Sequence, residues 1–382
     1  MNAWRSGDNP QELQSVKSHV LPVAHVEMSH VVMKRCFAVW FVFCGLVTVV
    51  ALRSTDVAHT ELFYIYYQPL LPVLTMLWLW GINVRYFERT GVRYDVCFSS
   101  KDQKYLLHSR EIFQETRMFF STTLFRVATP FRHMSWADFL LADVLTSLAK
   151  PLSDCERALC HLLSGPVMLP HSTDQMCGSS SWTIPAGLSL PYLWRLCQCL
   201  RTWRDTGNTG QAFNALKYST AFPVIVLSAI NFQVSDADWN RFWKPIWLAA
   251  AFLNSAYSYY WDIERDWEIA FFSSPSDQKW MGLKEPILKD KLQYPRTFYV
   301  YLMMSNLVLR LAWTYKLSPH LRQNLLTVLI FTLLEVFRRF QWMFVRIEVE
   351  LRKLQVSKPE VGQLVPALPP QEIIDADELV PI

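Results

Sequence analysis

The sequence has less charge and less glycine than most soluble chains of its length. Only 18% of its 382 residues are charged and only 11 are glycine, whereas about a quarter charged residues is usual in soluble proteins. Its Lys and Arg residues form no dense patch interleaved with aromatic side chains, so nucleic acid is not an expected partner. It also has no nucleotide-binding loop and no nucleophile–base pair, which argues against enzymatic catalysis and against transport driven by a nucleotide.

The eight cysteines are dispersed, and most lie inside or beside apolar segments. None has the C-x-x-C spacing, so the sequence indicates neither a metal site nor a disulfide framework, and no cofactor is expected. Cys197 and Cys199 form a C-x-C within an apolar run, where small apolar residues are the simpler interpretation. The first 30 residues are polar and mixed, so we expect no cleavable signal peptide, and the first spanning helix would act as the membrane signal.

Apolar residues, in contrast, are abundant: 51% of the chain is hydrophobic and 16 residues are Trp. They form stretches of near-membrane length, which predict spanning helices because lipid offers no partner for an unpaired backbone N–H or C=O. The Trp residues fit belts at the two membrane interfaces. The mean hydropathy is only +0.11, so sizeable polar loops or helices with polar buried faces are expected as well.

These runs predict an all-α polytopic membrane protein with about ten transmembrane helices. The clearer runs are 36–52, 62–83, 218–233, 242–262, 297–315 and 323–345, and four shorter ones, at about 118–131, 137–152, 155–169 and 183–200, are interrupted by Pro and polar residues. Basic residues collect in loops 85–118 and 263–296, which the positive-inside rule places in the cytosol together with segment 201–217. Both termini are then cytosolic, and 170–182 lies on the opposite side.

The predicted organisation has four parts. Residues 1–30 form a short cytosolic tail, and residues 31–117 form a two-helix hairpin with its basic loop. Residues 118–350 form the main membrane domain, in which the interrupted runs are typical of broken helices that line a polar cavity. Residues 351–382 become Pro-rich and acidic, a composition that predicts a disordered cytosolic tail.

Three charged clusters lie in or next to the last three apolar runs. In chain order they hold Asp262 with Asp266, Arg310 with Trp313, and Glu335 with Arg338, Arg339 and Trp342. Within each cluster the spacing places the side chains on one helical face. An ionised group at bilayer depth costs about 2.5–3.5 kcal/mol, so such groups are normally paired or line a water-filled path. The alternative is that they form buried ion pairs that only lock the helices together.

The chemistry of these side chains favours a tetrahedral oxyanion. Arginine offers planar, bidentate donors, and a neighbouring carboxylate can accept a hydrogen bond from a P–OH group. A mixed Arg/Asp lining therefore fits phosphate better than sulfate or chloride. Lys217 would add a cation near the cytosolic mouth of such a path, although an interfacial positive-inside lysine explains it equally well.

Six motifs resemble the membrane domain of the EXS family. They are P-F-R-H-M-S-W-A-D-F-L-L-A-D (130–143), W-R-L-C-Q-C-L-R-T-W-R-D-T (194–206), N-A-L-K-Y-S-T (214–220), Y-Y-W-D-I-E-R-D-W (259–267), L-R-L-A-W-T (309–314) and L-E-V-F-R-R-F-Q-W (334–342). Their order and spacing resemble the family over residues 130–350. The family includes inorganic-phosphate exporters of animals and plants and the fungal Golgi protein named ER-retention-defective.

The resemblance implies a phosphate pathway through the C-terminal helices. Its residues would be Asp143, Arg195, Lys217, Tyr218, Asp262, Asp266, Arg310, Trp313, Glu335, Arg338, Arg339 and Trp342, with Arg204 and Asp205 in a cytosolic turn. The three arginines of the last two helices would bind the oxyanion. The two aspartates of the first charged cluster would accept phosphate hydroxyls, and one of the two tryptophans would narrow the path.

The sequence also differs from one branch of the family. The plasma-membrane exporters have a large N-terminal SPX domain that senses inositol pyrophosphates. Only about 30 residues precede the first apolar run here, which resembles the branch without SPX and implies a Golgi membrane address. That branch is associated with returning phosphate from the Golgi lumen to the cytosol, and thereby with glycosylation and with retention of Golgi and ER proteins. Two alternatives stay open: a non-transporting scaffold that sorts Golgi glycosyltransferases, and an exporter in the plasma membrane or another endomembrane. A homodimer is also left open.

Overall fold

A computed structural model describes residues 37–42, 45, 66–98, 121–130, 134–163, 181–269, 293–318, 320–321 and 324–357. Within these residues the fold is all-helical and contains no β-strand, as predicted. Nine described helices have ten or more residues: α1 Leu70–Arg89, α2 Trp136–Ser147, α3 Ala149–Leu163, α4 Thr183–Thr206, α5 Thr209–Ser219, α6 Ala221–Ile230, α7 Lys244–Trp261, α8 Arg296–Arg310 and α9 Leu325–Ser357. The predicted tail 1–30, most of run 36–52 and residues 170–180 of the loop 170–182 lie outside the described residues.

Two described helical segments are long and apolar enough to cross a membrane by length and composition. They are α1 and the continuous stretch Thr209–Ile230, which comprises α5 and α6. The other helices carry too many polar residues or are too short to meet the same criterion. The all-helical architecture is therefore consistent with a helical membrane protein, whereas the count of about ten spans and the cytosolic termini stay predictions.

Helix α9 forms the centre of the main apolar core. It packs against α1, α2 and α8, and the fully buried Met343 and Ile347 meet Phe87 of α1 and Leu302 of α8 in one cluster. Burying a large apolar side chain contributes about 1.5–3 kcal/mol in a water-soluble protein, while inside lipid close packing between helices takes over this role. The same helix carries the third charged cluster, so the core fixes where those charges lie.

The hairpin of α4 and α5 has a turn of only two residues. Gly207 adopts φ 68°, a left-handed conformation that favours glycine and ends α4. Asn208 then starts α5, because its side-chain oxygen accepts a hydrogen bond from the backbone N–H of Gly210 at 2.9 Å. Most of segment 201–217 is therefore helical, and its place on the cytosolic side stays a prediction. Lys217 consequently lies inside a long helical stretch instead of at its start.

Other helix limits differ from the predicted runs because hydropathy records where polar side chains begin, not where a helix ends. Helix α1 covers Leu70–Arg89, so it starts and ends later than the predicted 62–83. Helix α8 ends at Arg310, and Trp313 lies in a separate 3₁₀ turn, Ala312–Leu317. The single helical face predicted for Arg310 and Trp313 was therefore wrong. Helix α9 continues through Ser357, seven residues into the segment predicted to be disordered.

The cysteines also differ from expectation at one position. Cys160, near the C-terminal end of α3, is disulfide-bonded, although the spacing of the cysteines indicated no disulfide framework. Four other described cysteines are free, namely Cys97, Cys155, Cys197 and Cys199. The partner of Cys160 therefore lies outside the described residues. Spacing alone could not reveal this bond, because the paired cysteine is not in a short motif with Cys160.

Helices α3 and α4 pack closely at Gly187. A Cβ atom at this position would lie 3.4 Å from the Cα of Ser153 and 3.7 Å from the Cβ of Glu156. We expect Gly187→Leu to lower the stability of the protein by about 1–3 kcal/mol, because the added atoms must force the two helices apart. Thermal unfolding of the detergent-solubilised protein, followed by size-exclusion chromatography, measures this effect.

Gly45 provides the matched control, since nothing lies within 4 Å of a Cβ placed there. Gly45→Leu should leave the melting temperature close to that of the wild type. Equal melting temperatures for the two leucine variants would contradict the close approach of α3 and α4.

Candidate functional site

A cavity of about 50 Å³ lies among the helices that carry the predicted charges. It is lined by Thr146, Tyr192, Lys217, Tyr218, Asn254, Ser258, Arg310, Glu335, Arg338 and Arg339. Since one buried water needs roughly 10–15 Å³ measured in this way, the cavity has room for about three to five waters or for a small ion. Four cations and one carboxylate line it, so its wall carries a net positive charge.

The cavity lies where the surrounding helices are interrupted. Helix α2 ends at Ser147 and α5 gives way to α6 at Thr220. Pro191 lies inside α4 next to Tyr192, and it removes one backbone hydrogen bond of that helix. Helix α7 passes into a π-helical turn, Asp262–Asp266, and α8 ends at Arg310. Binding sites of membrane transporters are commonly built from such discontinuous helices.

Asp262 connects three helices behind the wall of the cavity. Its Oδ2 atom accepts hydrogen bonds from Arg310, with Nη2 at 2.7 Å and Nε at 3.1 Å, and from the side chain of Asn306 at 3.0 Å. Arg338 Nη1 lies 3.4 Å from the same oxygen. Asp262 is only 1% exposed, so these contacts compensate a carboxylate that has lost its water.

Glu335 and Arg338 form an ion pair within α9. Arg338 donates from Nη2 to Glu335 Oε1 at 2.6 Å and from Nε to Oε2 at 2.8 Å, a bidentate geometry. The hydroxyl of Ser147 donates to the same Oε1 at 2.8 Å. The Glu335 side chain is 36% exposed, whereas that of Arg338 is 2% exposed. The carboxylate therefore faces the cavity and its arginine is enclosed.

Arg339 and Lys217 are the two lining cations without an ion pair among the described residues. Arg339 donates to two hydroxyls, those of Ser147 at 3.0 Å and Thr146 at 3.2 Å, and its guanidinium lies 4.5 Å from the Trp342 ring. Lys217 is 7% exposed, and its Nζ lies 4.5 Å from the ring of the neighbouring Tyr218 and 5.4 Å from that of Trp261. Aromatic rings compensate a buried ammonium only in part, so positive charge is left for an anion.

A second buried ion pair supports the wall from the side of α2 and α4. Arg195 Nε lies 2.7 Å from Asp143 Oδ1, and the Tyr218 hydroxyl donates to that oxygen at 2.6 Å. Gln198 accepts from Arg195 Nη1 at 2.9 Å. Asp143 and Arg195 do not line the cavity; they hold Tyr218, which does.

The remaining predicted residues lie farther from the cavity. Asp266 accepts a hydrogen bond from the indole N–H of the buried Trp342 at 3.2 Å, and neither side chain lines the cavity. Trp313 packs edge-on against Trp247, with ring centroids 5.6 Å apart, in a separate apolar cluster. Asp205 forms an exposed ion pair with Arg201 at 2.8 Å, close to the end of α4.

Several uncharged polar residues of the site were missed by the sequence analysis. They are Thr146, Ser147, Tyr192, Asn254, Ser258 and Asn306. A hydroxyl or an amide scarcely changes the hydropathy of a run, so these positions gave little signal. Asn306 could have been found, because it lies four residues before Arg310 and therefore on the same helical face.

Comparison with known proteins identifies a family and several relatives. The sequence model of the EXS family matches residues 105–351. The relatives include the Dictyostelium discoideum protein named SPX and EXS domain-containing protein 1, which is 31% identical over 234 residues, covering 59% of this chain and 24% of that protein. The Danio rerio xenotropic and polytropic retrovirus receptor 1 homolog is 34% identical over 257 residues, covering 62% and 35%. The Homo sapiens solute carrier family 53 member 1 is 30% identical over 264 residues, covering 63% and 36%.

The matched region is thus about a quarter to about a third of the length of these relatives. It contains the cavity and every charged side chain that lines it. The resemblance read from the six motifs is confirmed at the level of the family.

Proposed function

This chain belongs to the EXS family, and we propose that it carries inorganic phosphate across a membrane through the cavity between α2, α4, α5, α7, α8 and α9. The cavity is lined by positively charged side chains, hydroxyl donors and one partly exposed carboxylate in a small volume. These groups match the needs of a small tetrahedral oxyanion that sheds its water. Neither a nucleophile nor a metal enters the proposal, which is transport and not catalysis.

The observation that carries the proposal is the division of the four lining cations into two kinds. Arg310 and Arg338 are already paired with Asp262 and Glu335. Lys217 and Arg339 form no ion pair among the described residues; a ring lies against each of them, and Arg339 also donates to two hydroxyls. Nearby carboxylates attract both cations, but none forms an ion pair with them in the described part of the chain. A buried cation is costly without a close anion, so the ligand completes the site.

Flux into proteoliposomes tests this function directly. Vesicles that contain the purified protein should take up external radiolabelled phosphate faster than protein-free vesicles of the same lipid. Arg339→Ala should reduce that flux severalfold, because it removes one of the two lining cations that form no ion pair with a described residue. The matched control is Arg201→Ala, which removes an arginine from an exposed ion pair. Absence of flux in the wild type, or equal flux in the two alanine variants, would refute the proposed function.

Glu335 gives the proposal a substrate preference. Monobasic and dibasic phosphate carry a P–OH group that can donate a hydrogen bond to a carboxylate, whereas sulfate at neutral pH has no such donor. The exposed carboxylate of Glu335 should therefore favour phosphate over sulfate. We expect Glu335→Gln to lower the ratio of phosphate flux to sulfate flux about three- to tenfold, the range of one hydrogen bond of about 0.5–1.5 kcal/mol.

Competition in the same vesicles checks this ratio, with sulfate added at increasing concentration outside. Glu350→Gln is the control, because Glu350 pairs with Arg346 on the same helix at 3.3 Å and does not line the cavity. An unchanged ratio in Glu335→Gln would show that the carboxylate serves only to hold Arg338.

The Golgi membrane is the proposed location of the protein. The proposed direction of phosphate transport is from lumen to cytosol, in support of glycosylation and of retention of Golgi and ER proteins. The disulfide at Cys160 supports a membrane of the secretory pathway, because disulfides form in oxidising compartments. Imaging the tagged full chain beside Golgi and plasma-membrane markers tests the address. Staining confined to the plasma membrane would exclude the Golgi.

A further inference from the structure

Glu268 has an unusual backbone conformation just after the π-helical turn that follows α7. With φ 50°, it is the one non-glycine residue of positive φ in the described part of the chain. This left-handed region favours glycine, and a residue with a side chain persists there only when its surroundings hold it. Glu268 follows the π-helical turn Asp262–Asp266 by two residues, so whatever holds it also acts on the turn that carries Asp262.

Two backbone hydrogen bonds close this turn. The N–H of Trp267 donates to the carbonyl of Asp262 at 3.0 Å, and the N–H of Ile269 donates to the carbonyl of Ile263 at 3.0 Å. The second bond passes across Glu268 and needs its left-handed conformation, as at the C-terminal end of many helices. Glycine is the usual residue at such a position, which leaves the glutamate to be explained.

The Glu268 side chain reaches α9. Its Oε1 lies 2.7 Å from Lys353 Nζ, with side chains 18% and 40% exposed. Lys353 belongs to the last part of α9, far along the helix from Arg338 and Arg339. The ion pair therefore ties the strained residue to the same helix that supplies two of the lining cations.

A chain of contacts leads from this ion pair to the cavity. Next to Glu268, the buried Trp267 donates its indole N–H to the carbonyl of Trp342 at 3.4 Å. Trp342 in turn donates to Asp266 at 3.2 Å, and its ring lies against Arg339. Neither Glu268 nor Lys353 lines the cavity, so any effect they have on a ligand passes through the turn.

We propose that Glu268 and Lys353 are positioning residues, whose ion pair holds the strained turn so that Asp262 and Asp266 keep their places behind the wall of the cavity. The proposal rests on the proposed phosphate transport for its functional consequence. Its structural part stands independently, because the ion pair is needed only while residue 268 carries a side chain. A glycine there would adopt the same φ without support.

Four variants test whether a glycine at position 268 removes the need for the ion pair with Lys353. Lys353→Met and Glu268→Ala remove the ion pair but keep the strain, and each should raise the half-saturating phosphate concentration about threefold, as expected for the loss of a half-exposed ion pair. Glu268→Gly removes both the pair and the strain and should stay near the wild type. The double variant Glu268→Gly with Lys353→Met should also stay near the wild type, so that glycine suppresses the effect of the lost lysine.

Hydrogen exchange provides the readout that does not depend on transport. The amides of Trp267 and Ile269 should exchange faster in Lys353→Met than in the wild type, and at the wild-type rate in the double variant. Arg201→Met, which breaks an exposed ion pair on α4, should change neither these amides nor the half-saturating concentration. This control separates loss of any surface pair from loss of this one.

The outcomes separate the two proposals. If wild-type vesicles carry no phosphate, the proposed function fails, and hydrogen exchange alone decides whether Lys353 holds the turn. If the wild type carries phosphate and Lys353→Met matches it in both readouts, the positioning role is refuted. A double variant that is as impaired as Lys353→Met alone also refutes it, since the effect would then come from Lys353 itself and not from the strained glutamate.

Discussion

Replacing Lys217 with Gln should nearly abolish phosphate flux while leaving the fold intact. The ammonium is buried and has no hydrogen bond or ion pair in the described part of the chain, only the rings of Tyr218 and Trp261. Its loss removes a charge-assisted hydrogen bond to the anion of about 1.5–3 kcal/mol. That energy corresponds to a loss of about ten- to hundredfold in affinity.

The stability of this variant distinguishes a binding role from a structural one. Burying the ammonium costs free energy, and its attraction to the carboxylates of Asp143, Asp262 and Asp266 offsets part of that cost, so Lys217→Gln should melt close to the wild-type temperature. Phosphate flux at a subsaturating concentration and thermal unfolding of the same preparation measure the two quantities. Lys217→Arg, which keeps the charge, should retain part of the flux.

The control for this prediction is Lys244→Gln. Lys244 begins α7, and its Nζ lies 3.4 Å from Asn240 at the protein surface. The Lys244→Gln variant should transport phosphate at the wild-type rate. A Lys217→Gln variant that also transports like the wild type would contradict the role of the free cation, and one that fails to fold would mark Lys217 as structural.

The sequence sufficed for the charged residues because a charge inside an apolar run is an anomaly that needs no structure to be seen. Arg310, Glu335 and Arg338 were found in this way, and all three line the cavity. Which charges pair across helices could not be predicted. Arg310 and Arg338 converge on one oxygen of Asp262, and this geometry depends on how α7, α8 and α9 pack.

Helix limits were predicted less well, because the polar residues of this protein face a cavity and not only the loops. Lys217 lies in helical sequence that reads as a polar segment, since Gln211 and Asn214 precede it. Hydropathy places such a residue at a helix end, whereas the backbone continues through it. The two-residue turn at Gly207 and Asn208 was the available signal, as glycine followed by asparagine marks the end of one helix and the start of the next.

The ion pairs behind the wall suggest how the cavity keeps its arginines without losing its positive charge. Asp262 and Glu335 orient Arg310 and Arg338, each at 2.6–2.7 Å, so those guanidinium groups are fixed before a ligand arrives. Fixed donors avoid the entropy cost of ordering side chains on binding. Lys217 and Arg339 then supply the charge that the ligand neutralises.

Removing the charge of Asp262 should have the largest effect on stability. Asp262→Asn keeps the size of the side chain but leaves Arg310 facing a neutral amide, whereas Arg338 keeps its ion pair with Glu335. Breaking a buried ion pair by removing one partner costs about 3–5 kcal/mol, because the other charge stays buried without compensation. We therefore expect a large fall in the melting temperature and in the yield of folded protein.

Two comparisons test whether the effect is specific to the buried carboxylate of Asp262. Asp205→Asn breaks the exposed pair with Arg201, and such pairs contribute only about 0–1 kcal/mol, so its melting temperature should stay near that of the wild type. Adding Arg310→Gln to Asp262→Asn removes the arginine that has lost its carboxylate partner, and the double variant should be more stable than Asp262→Asn alone. Equal melting temperatures for Asp262→Asn and Asp205→Asn would show that Asp262 does not compensate the arginines, and the assignment of Lys217 and Arg339 as the free cations would fail with it.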